Sequence, residues 1–306
     1  VDARSGASVI PLMTGQDVAI SAVPYFLNAG LARMAVEARC HFVDLGGNEA
    51  VVKEELALDR AARKRGVCLV PDCGLAPGMV SFLVAWGIGE TGRPSRVRIR
   101  VGGLPQRPKP PLNYQIVFSI HGLINEYSGW CSTIRGFKPA RSRAMTGVER
   151  VEIPGLGELE AFHTSGGAST LPVTYTGRVR DLDYKTLRYP GHCELVKFMC
   201  NDLRLGERRD LFRDVLENAV PVTMQDVVLV FVTVSGQRGG RMVQETYTKK
   251  IYHGEVNGRE LSAIQITTAA AVCAVMDLHN AGRLPKTGFV RQEEIPLQDF
   301  LQNRFG

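Results

Sequence analysis

No stretch of the sequence is apolar for long enough to cross a bilayer. The runs over residues 79–88 and 269–276 stop well short of the roughly 20 residues that ~30 Å of hydrocarbon requires, so no membrane partner is expected. The seven cysteines include no CxxC pair and are spread along the chain, which argues against a disulfide framework or a zinc knuckle and points to reduced thiols. Histidine is scarce, with six residues. None stands at zinc-ligand spacing and HCELVKFMC (192–200) lacks the HExxH order, so no metal is expected. The opening residues VDARSGASVIPLMTGQD show neither a basic segment followed by a long apolar one nor an Arg/Ser-rich transit pattern. A cytoplasmic protein is the expectation.

A one-sided charge is also missing. Lys and Arg number 37 against 31 Asp and Glu, a formal +6, and the densest basic groups, residues 60–65 and 204–213, contain acids or fall at helical spacing. They read as solvated faces, and no nucleic-acid partner is expected. What remains is 306 residues, 44% hydrophobic and 22% charged, enough for two domains and too apolar for a disordered chain.

The first ninety residues alternate β-rich apolar runs with amphipathic stretches. DVAISAV (17–23) reads as a strand followed by a helix over 25–39. HFVDLGG (41–47) reads as a second strand with a helix from about 48 to 64, and VCLVPDCG (67–74) as a third. Ala76-Pro77-Gly78 then places proline in a first helical turn, where the missing N–H is harmless. This order predicts a parallel sheet with ligands beyond the carboxyl ends of its strands. From about Arg93 the pattern changes. RVRIRVGG, NYQIVFSI, VERVEI, VVLVFVTVSG and ETYTKKIYHG read as strands of a mostly antiparallel sheet. Residues 184–205 look partly helical, 261–281 form an Ala-rich helix, and the tail is a loop with one short helix.

Small residues at strand ends are candidate cofactor contacts: Ser21, Ala22, Val23 and Pro24 after the first strand, Gly46 and Gly47 after the second. Asp72 closes the third strand, where it can meet a substrate amine or cap the next helix. Cys73 beside it is a candidate substrate neighbour that reads as a packed thiol. Arg188 in TLRYPGH can grip a carboxylate bidentately, with Tyr189 and His192 across a Pro-Gly turn. His192 is the candidate proton acceptor and His163 its rival.

The runs SAVPYFLN (21–28), HFVDLGGN (41–48), VPDCGLAPGM (70–79), VGGLP (101–105), VFSIHGLINEYSG (117–129), EAFHTSGGASTLP (160–172), TLRYPGH (186–192) and GRLPKTGFVRQEEIPL (282–297) resemble the saccharopine dehydrogenase family, in particular its lysine 6-dehydrogenase-like members. The resemblance implies an α/β fold: a partial Rossmann parallel sheet over residues 1–92 and 261–306, with an inserted α+β domain over 93–260 for substrate binding and dimerisation. No GxGxxG follows a first strand. In this reading the family's first βαβ segment, roughly 60 residues, lies outside the chain or is absent.

The resemblance further implies NAD or NADP as cofactor, the choice left open, and a homo-oligomer. The implied activity is oxidation at the amino-bearing carbon of an amino acid such as lysine. Gly102 and Gly103 would then lie along the substrate cleft. His121 stands about where saccharopine-handling relatives carry an arginine for substrate. His192 would take the amine proton and Asp72 would hold the cation. The alternatives are reductive formation of a secondary amine, as in saccharopine or carboxynorspermidine synthesis, and a catalytically silent binding or scaffold protein.

Overall fold

A computed structural model describes residues 1–306, which divide into two compact units: Val1–Trp86 with Ser169–Leu171 and Thr268–Gly306, and Gly87–Ala168 with Pro172–Thr267. In chain order the first unit contains α1 (Gly6–Met13), β1 (Val18–Ser21), α2 (Asn28–Ala38), β2 (His41–Asp44), α3 (Glu49–Leu56), α4 (Asp59–Arg65) and β3 (Cys68–Val70). Helix α5 (Met79–Thr91) leads out of it. The second unit follows with β4 (Arg93–Pro105), α6 (Ile120–Glu126), β5 (Trp130–Arg135), β6 (Lys138–Arg143), β7 (Glu149–Ile153) and β8 (Gly157–Phe162). After α7 (Leu171–Tyr175) come β9 (Asp181–Arg188), α8 (His192–Lys197), α9 (Arg209–Ala219), β10 (Asp226–Arg238), β11 (Arg241–Tyr252), β12 (Gly254–Val256) and β13 (Arg259–Leu261). Helix α10 (Ala263–Asn280) returns the chain to the first unit, which ends in β14 (Gly288–Phe289) and α11 (Leu297–Gln302).

The first unit is built on a wholly parallel sheet of order β1-β2-β3-β14. Its strands are short and apolar, and Phe42 and Leu69 are buried with Leu31, Ala32, Ala35 and Val36 from one face of α2. Local signals set the helix ends. Asn48 accepts from the N–H groups of Ala50 (2.9 Å) and Val51 (3.3 Å) at the start of α3. Arg39 and Gly66 take left-handed φ of 59° and 74° after α2 and α4.

The second unit carries a mixed sheet of order β11-β10-β4-β9-β5-β6, with the β7–β8 hairpin joined through β9. All its pairings are antiparallel except β4 with β9. Helix α10 begins on a capping box in which Ser262 Oγ accepts from Gln265 N (3.1 Å) and Gln265 Oε1 from Ser262 N (3.0 Å). The Asp226 carboxylate accepts from Ala263 N (2.5 Å) and Ile264 N (3.1 Å).

Several details depart from the sequence reading. NYQIVFSI is not a strand: only Ile116 makes a bridge, to Val222. Its apolar residues Tyr114, Ile116 and Val117 are buried in a core shared with Leu123, Val196 and Phe212, and continuous burial imitates a strand. His121 therefore lies in the first turn of α6, half-buried. The helix expected over 48–64 is two, α3 and α4. Pro77 precedes α5, which begins at Met79; Gly78 before it has φ +130°, and a Cβ there would sit 2.7 Å from Gly74 N. Gly102 and Gly103 lie within β4, where a Cβ would meet Leu187 Cβ at 2.9 Å and Ile264 Cδ1 at 3.1 Å respectively. The tail adds β14 to the parallel sheet.

Asp226→Ala leaves two amide donors at the start of α10 without their acceptor. It is expected to lower the unfolding free energy by about 2 kcal/mol in urea titrations. A loss below about 0.5 kcal/mol would show that the capping box suffices alone.

Candidate functional site

The carboxyl ends of β1 and β2 are level, Ser21 opposite Asp44, and Asp72 follows β3 by two residues. This is the edge at which open parallel sheets bind ligands. The Ser21 hydroxyl lies 2.7 Å from Asn28 Oδ1, while Ala22, Val23 and Pro24 form an exposed turn. Gly46 and Gly47 have φ of 71° and 116°. Gly46 N donates to Asp44 Oδ1 (2.6 Å) and Gly47 N to Asp72 Oδ1 (3.4 Å). A Cβ at residue 46 would lie 2.7 Å from the Asp72 Cα, so only glycine permits this approach of backbone to carboxylate.

Asp44, Glu55 and Asp72 are each 1% exposed, and no cation acts on them. Asp44 Oδ1 also accepts from Asp72 N at 3.3 Å. Asp44 Oδ2 and both Glu55 oxygens have no partner of good hydrogen-bond geometry; the Glu55 carboxyl and the Asn28 side chain lie against Asp44. Two buried carboxyls in contact without a cation must share a proton. Burial first, then the charges of Asp44, Asp72 and Glu54, raise Glu55 far above the usual carboxylate range, so the proton resides there. Burial, then the charge of Asp44, pushes Asp72 up to about 8, against the lowering effect of the Ser169 hydroxyl and Gly47 N. Ser169 donates to Asp72 Oδ2, and Thr170 places its hydroxyl 2.9 and 2.8 Å from the two oxygens of Glu293.

A second polar cluster lies within the other unit. Arg188 is 1% exposed. Its Nη1 donates to Thr186 Oγ1 (2.8 Å) and Leu187 O (2.9 Å), its Nη2 to Glu126 Oε2 (2.9 Å), and its Nε to Tyr127 Oη (3.4 Å). Its guanidinium carbon lies 5.0 Å from the centre of the Tyr114 ring. His192 Nδ1 is 2.9 Å from Leu112 O, which accepts, so Nδ1 carries the hydrogen and Nε2 accepts from Tyr127 Oη at 2.8 Å. Burial and the Arg188 charge depress His192 to about 3. The ring is neutral, with both nitrogens engaged.

The structure thus gathers Ser21, Gly46, Gly47 and Asp72 at one sheet edge, and joins Arg188 to His192 through Tyr127. The side chains of the other candidates are engaged by partners of their own. Tyr189 Oη donates to Pro105 O (2.9 Å), and His163 Nδ1 bonds Tyr184 O (3.2 Å). Cys73 is fully buried, with Sγ accepting from Gln292 Nε2 (3.2 Å), and burial raises its thiol well above the usual range. Residues 87–92, GIGETG, have the spacing of a phosphate loop but fall at the end of α5, where a Cβ on Gly87 would meet Val234 Cγ2 at 2.8 Å. Gly87 thus serves helix–sheet packing.

Asp44, Glu55, Ser169, Glu126 and Tyr127 escaped the sequence reading. Asp44 carries the same signal as Asp72, an acid ending an apolar strand. Glu55 shares a helix face with buried Val52, an anomaly that invites a buried-acid reading. Nothing in sequence brings Ser169 to Asp72.

Folded-state pKa values raised above the unfolded ones give stability that is full below the unfolded carboxyl range and is lost as pH rises toward the folded values. The protein should therefore lose stability between about pH 5 and pH 8. Glu55→Gln, which keeps a donor toward Asp44 without a titrating proton, should flatten that slope in melting temperatures. Parallel slopes for the two proteins would place the shared proton elsewhere.

A family model for the saccharopine dehydrogenase NADP binding domain matches residues 1–70, and one for the saccharopine dehydrogenase C-terminal domain matches residues 74–305. The mitochondrial alpha-aminoadipic semialdehyde synthase of Bos taurus is 23% identical over 254 residues, 78% of this chain and 26% of that protein. The chain spans only that 26% of its curated relative's length. Apo saccharopine dehydrogenase (L-Glu forming) from Saccharomyces cerevisiae superposes with a TM-score of 0.76 at 16% identity, over 98% of this chain and 84% of that one. At that identity the likeness is one of fold. Matches that run from the first residue to residue 305 place the chain in the saccharopine dehydrogenase family.

Proposed function

We propose that the protein is an NAD(P)-dependent oxidoreductase that acts at the nitrogen-bearing carbon of an amino acid, with oxidative deamination of the lysine 6-dehydrogenase kind as its reaction. The observation that carries the reading is Asp72: a buried acid at the carboxyl edge of a parallel sheet, with a pKa pushed up to about 8 and a hydroxyl on its second oxygen. The exposed turn of Ala22, Val23 and Pro24 and the Gly46–Gly47 turn fit a nicotinamide and its ribose, because backbone there is bare of bulky side chains. Bound nicotinamide supplies the hydride acceptor.

The chain's own groups then have distinct tasks. Hydride leaves the carbon only when the amine is neutral, so a proton acceptor with a pKa near the working pH is needed. Asp72 meets that requirement. His192 does not, since its lone pair is held by Tyr127; we assign it the orientation of Tyr127 beside Arg188. Within the second unit, Arg188 can hold a carboxylate only by exchanging the Glu126 oxygen now at 2.9 Å.

Formation of a secondary amine from an amino acid and an aldehyde is the second reading. It uses the same acid–base group in reverse, and the name of the yeast neighbour supports it. Assays with lysine alone, against an amino acid with an aldehyde and NADPH, separate the two. Under the first reading, lysine-dependent reduction of NAD or NADP rises as pH passes about 8. Asp72→Asn should lower kcat by a factor of about 100 or more and remove that rise, while NADPH fluorescence titrations stay unchanged. Full activity in the Asp72→Asn protein would overturn the assignment.

A further inference from the structure

The polar face of the large sheet holds a cavity used by none of these roles. Alternation along β4 sends Val97 and Ile99 into the core, 1% and 0% exposed, and Arg96, Arg98 and Arg100 to the opposite face. Strand β9 pairs Asp181 with Arg96 and Asp183 with Arg98. Ile134 pairs with Leu182, so Thr133 and Arg135, which flank Ile134, share the face of Asp181 and Asp183. With Glu149 and His163 these side chains line a cavity of about 260 Å³.

The charges there do not balance. Each carboxylate already has its cation: Asp183 meets Arg100 at 2.7 Å, Glu149 meets Arg100 at 2.5 Å and Lys185 at 2.8 Å, and Asp181 meets Arg180 at 2.8 Å. Arg98 and Arg135 are left without an ion pair; Arg135 Nη2 donates only to Ser142 Oγ, at 2.9 Å. Thr133, 2% exposed, lines the same cavity, and its hydroxyl is buried with no hydrogen-bond partner. Leaving a buried hydroxyl unsatisfied costs stability unless something else completes it. His163 adds no positive charge of its own, since burial lowers its pKa, and its Nδ1 is held by Tyr184 O.

We propose that this cavity binds a small, multiply charged oxyanion, a phosphate or a dicarboxylate, held by the guanidinium groups of Arg98 and Arg135 and by a hydrogen bond from Thr133. Planar guanidinium donors match the paired oxygens of either ligand. The site lies wholly within the second unit and does not depend on the reading of Asp72.

The test is calorimetric titration of the full chain with inorganic phosphate and with glutarate at constant ionic strength, under saturating NADPH to exclude the cofactor's own phosphate contacts. Saturable binding at about millimolar Kd or tighter is expected for at least one of the two, and whichever binds identifies the source of the anion. Arg98→Met/Arg135→Met should weaken it by about tenfold or more. Thr133→Val, nearly isosteric, should weaken binding by about threefold yet raise the melting temperature of the free protein, because it deletes an unpartnered buried hydroxyl. These opposite signs separate a ligand site from a folding defect. No saturable heat with either anion would overturn the proposal, as would binding unchanged by the paired arginine substitution. It also fails if that substitution leaves anion binding intact but dissolves an oligomer in sedimentation velocity.

Discussion

The carboxylate of Asp44 ties the candidate site together, because one oxygen accepts from both Gly46 N and Asp72 N, at 2.6 and 3.3 Å. Its main-chain carbonyl meanwhile takes Cys73 N at 2.7 Å. The end of β2, the glycine turn and the residues after β3 are thereby fixed relative to one another. Two N–H groups at one oxygen favour a charged Asp44, yet the residue is buried next to Glu55. The conflict is resolved by a proton on Glu55, whose hydroxyl can serve the otherwise bare Asp44 Oδ2. Asp72 inherits its position from this arrangement: its φ of 60° is uncommon for a residue with a Cβ, and it is held by the backbone bond to Asp44. It inherits part of its proton affinity too, since the Asp44 charge is the largest influence on it after burial.

The two units handle buried charge in opposite ways. In the first, carboxyls without cations are stabilised by holding protons. In the second, Arg188 is matched by Glu126 and surrounded by tyrosines, and the charge is permanent because guanidinium does not lose its proton. The first arrangement titrates within reach of neutral pH, whereas the second stays in one state. Under the proposed function, proton exchange therefore falls to Asp72, while Arg188 keeps a fixed charge. His192 sits on the permanent side of this division. A neutral imidazole between a carbonyl and a phenol next to a buried cation transmits orientation, and its depressed pKa follows from that neighbourhood.

The βα alternation and its parallel sheet were legible because short apolar strands and capped helices are local features: Asn48 caps α3 with its own side chain, and Gly66 ends α4 with its own φ. The mixed sheet was legible from alternation in RVRIRVGG and VVLVFVTVSG. Burial without alternation misled at residues 113–120, where a core-filling segment has the composition of a strand. Asp72 was legible from its place after a strand. Its partners were not, because hydrogen bonds between Asp72 and Ser169, or between Arg188 and Glu126, join residues 97 and 62 positions apart, and a single sequence carries no trace of such pairings. Nor could sequence show that His192 would have both nitrogens engaged; a histidine beside an arginine reads the same whether its lone pair is free or bound.

An unpartnered buried polar atom is informative only in context. Ser81 and Thr164 share that condition with Thr133 but do not line the arginine-rich cavity, and a solitary unsatisfied hydroxyl is a small local cost. Thr133 differs because the same cavity also presents Arg98 and Arg135, both solvent-exposed and without counter-ions, while every carboxylate around it is already neutralised. A missing acceptor and a missing negative charge at one place are two independent deficits that a single oxyanion removes. At the carboxyl edge of the parallel sheet the excess is of the other sign, and it is relieved internally by a proton on Glu55. The distinction is chemical: carboxyls can discharge themselves by taking up a proton, whereas guanidinium groups cannot, so surplus arginine around an open cavity keeps its charge and can receive an anion where surplus buried aspartate is relieved by a shifted pKa.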